Sequence, residues 1–129
     1  MSTENLNFIV IDDSKLDCFI AEKIIKNTGR CENIQTFQLA TEALNVIKQG
    51  NSKPTIMFVD IQMPMMNGFE FVEAFEALDD SIKSKYTIYM LSSSINENDI
   101  AKVKGYASVK RFLNKPLTNT AITSVLEEN

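Results

Sequence analysis

Five short apolar runs, each followed by a segment with helical spacing, constrain this chain more than any other feature. The runs cover residues 7–11, 34–37, 55–59, 87–91 and 109–113. Being apolar on both faces, they suit parallel strands covered by helices on each side. Between them, Ala40, Ala43, Leu44 and Ile47 keep the spacing of a helix face, with Gly50 as a stop. Phe71, Val72, Phe75 and Leu78 form a second stripe, entered through an Asn67 cap with Glu70 three residues on. Leu16, Ile20 and Ile24 begin a third stripe after Asp13-Ser14, and Gly29 ends it. Shorter helices are expected over 97–104 and 118–126. Strand and helix repeated five times imply right-handed crossovers. The expected fold is α/β, an open doubly wound sheet of five parallel strands with helices on both faces. Without a repeat, a linker or a low-complexity tract, residues 1–129 read as one domain.

The charge balance narrows the chemistry. Thirteen basic and 17 acidic side chains leave a formal net charge of −4. That sign repels phosphate backbones and anionic lipid, so neither nucleic acid nor a membrane is an expected partner. The chain has no histidine. This removes Ser-His-Asp and Cys-His catalysis, His-ligated zinc and any phosphohistidine on the chain itself. Cys18 and Cys31 show neither metal-ligand nor disulfide-framework spacing and read as two buried free thiols. The opening Met-Ser-Thr-Glu-Asn-Leu-Asn lacks the pattern of a secretory signal. No apolar run approaches the ~20 residues of a membrane span, and a cytoplasmic protein is expected.

The polar residues of interest fall just beyond the carboxyl ends of expected strands. Asp12 and Asp13 follow the first, Asp60 the third and Ser92 the fourth, while Lys115 closely follows the fifth. Open α/β sheets bind ligands at that edge. Three carboxylates about 4 Å apart repel by roughly 4 kcal/mol per pair at an effective dielectric near 20. The total is comparable to the ~5–15 kcal/mol stability of a small domain. Such a cluster holds protons at neutral pH or encloses a cation. Lys115 supplies one positive charge, and an oxygen-only donor set suits Mg²⁺. Together these charges cancel, which leaves a site suited to a phosphoryl group. Singly, each piece has a plainer reading. Asp13-Ser14 caps a helix, Asp60 opens a turn before Pro64 and Gly68, Ser92 sits in a solvated serine run, and Lys115-Pro116 stops a strand. Their joint arrival at four strand ends favours the functional reading.

On Ile9-Val-Ile-Asp-Asp13, Val59-Asp-Ile-Gln-Met-Pro-Met-Met-Asn-Gly68, Leu91-Ser92 and Lys115-Pro116, the chain resembles the response regulator receiver domain of two-component signalling. The resemblance covers nearly all residues, and the single-domain chemotaxis type is the closest architecture. It implies a flavodoxin-like strand order, 2-1-3-4-5. It further implies that Asp60 accepts a phosphoryl group from a sensor histidine kinase or phosphotransfer protein, forming an acyl phosphate. Mg²⁺ would be held by Asp13 and Asp60 directly, by Asp12 through a water and by the backbone carbonyl of Gln62. Lys115, beside a cis bond to Pro116, and Ser92 would bind phosphoryl oxygens.

By the same resemblance, Ser92 and Phe112 form a switch, and Gln62 and Ser94 tune acyl-phosphate lifetime. Ser92 replaces a commoner threonine and Phe112 a commoner tyrosine, so a switch at 112 works by packing alone. Segment 105–111 looks longer than in the chemotaxis type. The implied protein is a phosphoacceptor rather than an enzyme. Its output is binding of an unnamed downstream protein at the face of the last two helices and fifth strand, or onward transfer to another histidine.

Three other readings compete. An aspartyl phosphohydrolase prefers an Asp-x-Asp pair and a cap domain, whereas Asp12 and Asp13 are adjacent. A flavin-binding electron carrier needs a hydroxyl- and amide-rich phosphate loop, where Asp12, Asp13 and Asp17 would repel the phosphate. A constitutive adaptor with a vestigial site would have no use for the complete residue set.

Overall fold

The computed structural model describes residues 5–50 and 53–129. The first four residues, part of the leader argument above, lie outside the described residues. In chain order the elements are β1 (Leu6–Ile11), α1 (Lys15–Lys26), β2 (Cys31–Phe37), α2 (Ala40–Ile47), β3 (Thr55–Asp60) and α3 (Gly68–Glu76). They continue with α4 (Asp80–Lys83), β4 (Tyr86–Ser92), α5 (Glu97–Val103), β5 (Val109–Asn114) and α6 (Asn119–Glu127). All strand pairs are parallel, and the order is β2-β1-β3-β4-β5, as the resemblance implied.

Strand alternation divides the interior into two cores. Ile9, Ile11, Met57, Val59, Ile88 and Met90 face α2, α3 and Val103 of α5. Phe8, Val10, Ile56, Phe58, Tyr89 and Leu91 face α1 and α6 on the other side. The central strand β3 is buried at all six positions, which is why its run is apolar without interruption. Each fully buried residue of this size contributes roughly 1.5–3 kcal/mol, so the three central strands anchor the sheet.

Local expectations needed four corrections. Helix α1 does not bury the stripe Leu16, Ile20 and Ile24; it buries Cys18, Ala21 and Ile25, and Leu16 is 66% exposed. Apolar residues occur on more than one face of this segment, so periodicity could not choose the phase. The small Cys18 and Ala21 side chains let the helix lie close to the sheet. Strand β2 begins at Cys31 rather than residue 34, because an edge strand with no fully buried position needs no continuous apolar run. A sixth helix, the single turn α4, interrupts the five-fold repeat; four residues carry too little periodicity to be read. Finally, Cys31 is half-buried rather than buried, and both cysteines are free.

Asn67 caps α3 through a complete capping box with Glu70, as the sequence suggested. Gly68, the first residue of that helix, packs beneath the end of β3. An added Cβ there would come within 2.5 Å of the Asp60 carbonyl oxygen and 2.9 Å of the Ile61 Cα. Both neighbours are backbone and cannot rotate away. Gly68→Ala is therefore expected to lower unfolding free energy by about 1–3 kcal/mol, read as a reduced urea midpoint. An unchanged midpoint would show that the turn between β3 and α3 has slack to spare.

Candidate functional site

The parallel sheet sends every strand's carboxyl end to the same edge, so residues 48 positions apart in the chain can meet there. Asp12 and Asp13 directly follow β1, Asp60 and Ser92 are the last residues of β3 and β4, and Lys115 directly follows β5. Asp60 and Ser92 thus belong to their strands instead of lying just beyond them. Their backbones stay in the ladder while their side chains reach the edge. Across it, Ile61 N donates to Leu91 O at 3.1 Å and Lys115 N to Ser92 O at 3.0 Å. The loops are tied to one another before any ligand is considered.

One carboxylate oxygen each from Asp12, Asp13 and Asp60 lies within 4.8 Å of the others. Asp12 is 1% and Asp60 5% exposed, while Asp13 faces solvent. Three carboxylate oxygens this close together could hold one small divalent cation after side-chain adjustment. The all-oxygen donor set fits Mg²⁺ as well. Asp12 Oδ1 accepts from Ser14 N at 2.9 Å, and Asp60 Oδ1 is only loosely met by Gln62 N at 3.4 Å.

Lys115 Nζ is the cation of the cluster. It lies 2.8 Å from Asp12 Oδ2, 2.9 Å from Asp17 Oδ2 and 3.4 Å from Asp60 Oδ2. Burial works against the charge on Lys115, but Asp12 and Asp17 outweigh it and hold the amine above its ordinary value. Burial first, and then the Asp12 charge, lift the Asp60 carboxyl from 3.8 to about 6, with Lys115 opposing. Repulsion among acids was legible in the sequence. The part of Asp17 was not. It had been read only as an acid that would repel a flavin phosphate, yet from the first turn of α1 it reaches Lys115. Its proximity to Asp12 and Asp13 in sequence was the one available signal. With Asp17 counted, a divalent ion no longer neutralises the site but leaves it one charge negative.

The remaining candidates surround this group. Ser92 is buried, and its Oγ accepts from Ser94 N at 3.1 Å. Gln62 and Ser94 are exposed on the two flanking loops. Phe112, on β5 opposite Met90, is half-buried against the core beneath α2, α3 and α5. The Lys115–Pro116 peptide is cis. A cavity of about 680 Å³, lined in part by Glu76, Lys83, Tyr86 and Lys110, lies at the amino ends of β4 and β5, away from the acidic cluster. Beside the cluster, burial and then Asp12 and Asp17 push the Cys18 thiol up to about 11, which keeps it protonated at neutral pH. Among the described residues no helix is long and apolar enough to cross a membrane.

Comparison with known proteins places this geometry in context. Residues 8–127 match the response regulator receiver domain. The chain is 30% identical over 97% of its length to Protein PilG of Pseudomonas aeruginosa, of which it spans 87%. It is 28% identical over 94% of its length to the sensor histidine kinase CheAY of Helicobacter pylori, but spans only 14% of that protein. Among solved structures, a two component response regulator from Cytophaga hutchinsonii superposes with a TM-score of 0.88 at 30% identity, covering 97% of this chain and 96% of that one. The chemotaxis protein CheY4 of Vibrio cholerae shares the fold, with a TM-score of 0.80 at 22% identity over 96% and 98% of the two chains.

The raised Asp60 carboxyl has a consequence for stability. A carboxyl with a folded pKa above its unfolded value favours the fold at low pH, and that contribution is lost as pH rises through about 6. In chelator, Asp60→Asn is expected to stabilise the protein by roughly 1–3 kcal/mol near about pH 7.5 and hardly at all near about pH 4. Thermal unfolding at the two pH values measures this. Equal effects at both would mean that Asp60 carries no such strain.

Proposed function

This chain belongs to the response regulator receiver domain family of two-component signalling, and we propose that it works as a phosphorylation-operated protein switch with Asp60 as its phosphoacceptor. Residues 1–129 act as one receiver domain. The observation that carries the reading is the meeting of Asp12, Asp13 and Asp60 within 4.8 Å, with Lys115 Nζ 3.4 Å from Asp60.

The donor is a phosphohistidine on a sensor kinase or phosphotransfer protein. An Asp60 carboxylate oxygen attacks its phosphorus; the O–P bond forms as the P–N bond breaks, and the imidazole leaves with the electron pair. Asp60 suits the task because Asp12 and Asp13 serve as cation ligands, with the Gln62 backbone carbonyl as another. Mg²⁺, when bound, screens the approach of an anionic phosphoryl group to a carboxylate. Lys115 adds a fixed positive charge on the other side. Asp13 faces solvent at the edge of the site, which leaves it approachable by a donor presented on a protein. Leu16, 66% exposed, and Phe19, 58% exposed, stand on α1 beside the site and offer such a donor apolar contact.

Phosphorylation then moves the nearby loops. The Ser92 hydroxyl already accepts from Ser94 N, so its own hydrogen is available to a phosphoryl oxygen. Donating it draws the loop between β4 and α5 inward. Phe112 lies half-buried on the neighbouring strand and responds by packing deeper, which alters the surface of β5, α5 and α6 where a downstream protein binds. Gln62 and Ser94 flank the acyl phosphate and set how readily water reaches it.

Incubation with acetyl phosphate and Mg²⁺, followed by phosphate-affinity electrophoresis, tests the assignment. The natural chain should shift, chelation should abolish the shift, and Asp60→Asn should show none. Labelling that persists in Asp60→Asn would defeat it.

A further inference from the structure

The contacts of Lys115 point to a control on this site that the reading above does not use. Lys115 Nζ is shared as a counter-ion among three carboxylates. Asp12 stands at 2.8 Å and Asp17 at 2.9 Å, while Asp60, which needs the charge most, is farthest at 3.4 Å. A phosphoryl group on Asp60 brings new anionic oxygens and replaces the one negative charge of the carboxylate with about two. An oxygen of that group approaching Nζ competes with the carboxylates already paired there.

The three are not equally easy to displace. The Asp12 side chain is 1% exposed, so releasing the lysine would leave it buried without its cation. The Asp17 side chain is 38% exposed, and water can replace the ammonium there at small cost. Asp17 also lies outside the trio of acids whose oxygens converge, so its negative charge opposes an incoming phosphoryl group without helping to hold a cation. Its position is fixed by the start of α1, where Ser14 accepts from the Asp17 backbone N–H.

Resting on the phosphoacceptor reading of Asp60, we propose that Asp17 is a competing counter-ion: it holds Lys115 in the resting protein and yields it when Asp60 carries a phosphoryl group. Asp17 is a positioning residue, acting through Lys115. It weakens the hold on the phosphoryl group, and so sets how readily the site is occupied. Its release also ties the first turn of α1 to the state of the site.

Binding of beryllofluoride, a phosphoryl mimic, to the full chain at saturating Mg²⁺ tests this by calorimetry, since the chain has no tryptophan to report it. Asp17→Asn keeps the backbone cap and should bind about two- to fivefold tighter, the range expected for an exposed ion pair. Asp17→Glu keeps the charge and should stay within about twofold of the natural chain. Mg²⁺ binding by Asp17→Asn should be no tighter than before. Equal or weaker beryllofluoride binding by Asp17→Asn, or tightening as large in Asp17→Glu, overturns the role of Asp17 alone. If the natural chain binds no beryllofluoride, the phosphoacceptor reading falls, and this one with it.

Discussion

Two carboxylates withdrawn almost wholly from water, with a third at the surface beside them, need positive charge within reach. Asp60 is held at the edge of the sheet by the parallel ladder with β4, and Asp12, just past β1, by its backbone N–H donating to Phe37 O at 2.9 Å. Their repulsion therefore cannot relax by separation. Lys115 meets part of it, while burial first and then the Asp12 charge raise the Asp60 carboxyl. The sheet keeps like charges together, in the kind of acidic group at which receiver domains bind Mg²⁺.

The two cores make this arrangement rigid. Residues of β3 alternate between them, with Met57 and Val59 on one side and Ile56 and Phe58 on the other. Asp60 ends a strand buried on both faces, so its position is as well determined as that of any core residue. Ser92 gains the same definition from β4. The loops carrying Gln62 and Ser94 remain exposed, and the half-buried Phe112 sits between the two regimes. Rigid strand ends next to movable loops suit a site that converts a change of charge into a change of surface.

A lysine shared among three acids also sets the resting charge balance of the cluster. Counting only Asp12, Asp13, Asp60, Lys115 and a divalent ion gives neutrality. Asp17 breaks that balance, and it does so from a helix rather than a strand end. Residues at strand ends are fixed by the sheet, whereas α1 presents both the counter-ion and the exposed Leu16 and Phe19. The face of α1 is thereby linked to the chemistry through one ion pair.

The sequence by itself determined the strands that are buried on both faces, the helices with one clear apolar stripe and the residue types gathered at the strand ends. Those features are local, because burial on both sides leaves a continuous run such as 55–59, and a cap such as Asn67 with Glu70 acts within one turn. Its motifs also carried the resemblance from which the strand order was expected. Only the tertiary structure decided the phase of α1, the start of the edge strand β2 and the partner of Asp17. Each depends on neighbours distant in the chain. Several faces of α1 are apolar enough to be buried, an edge strand is paired through backbone groups that leave no mark on side-chain type, and the distance from Asp17 to Lys115 is set by how a helix from one end of the chain packs beside a strand from the other.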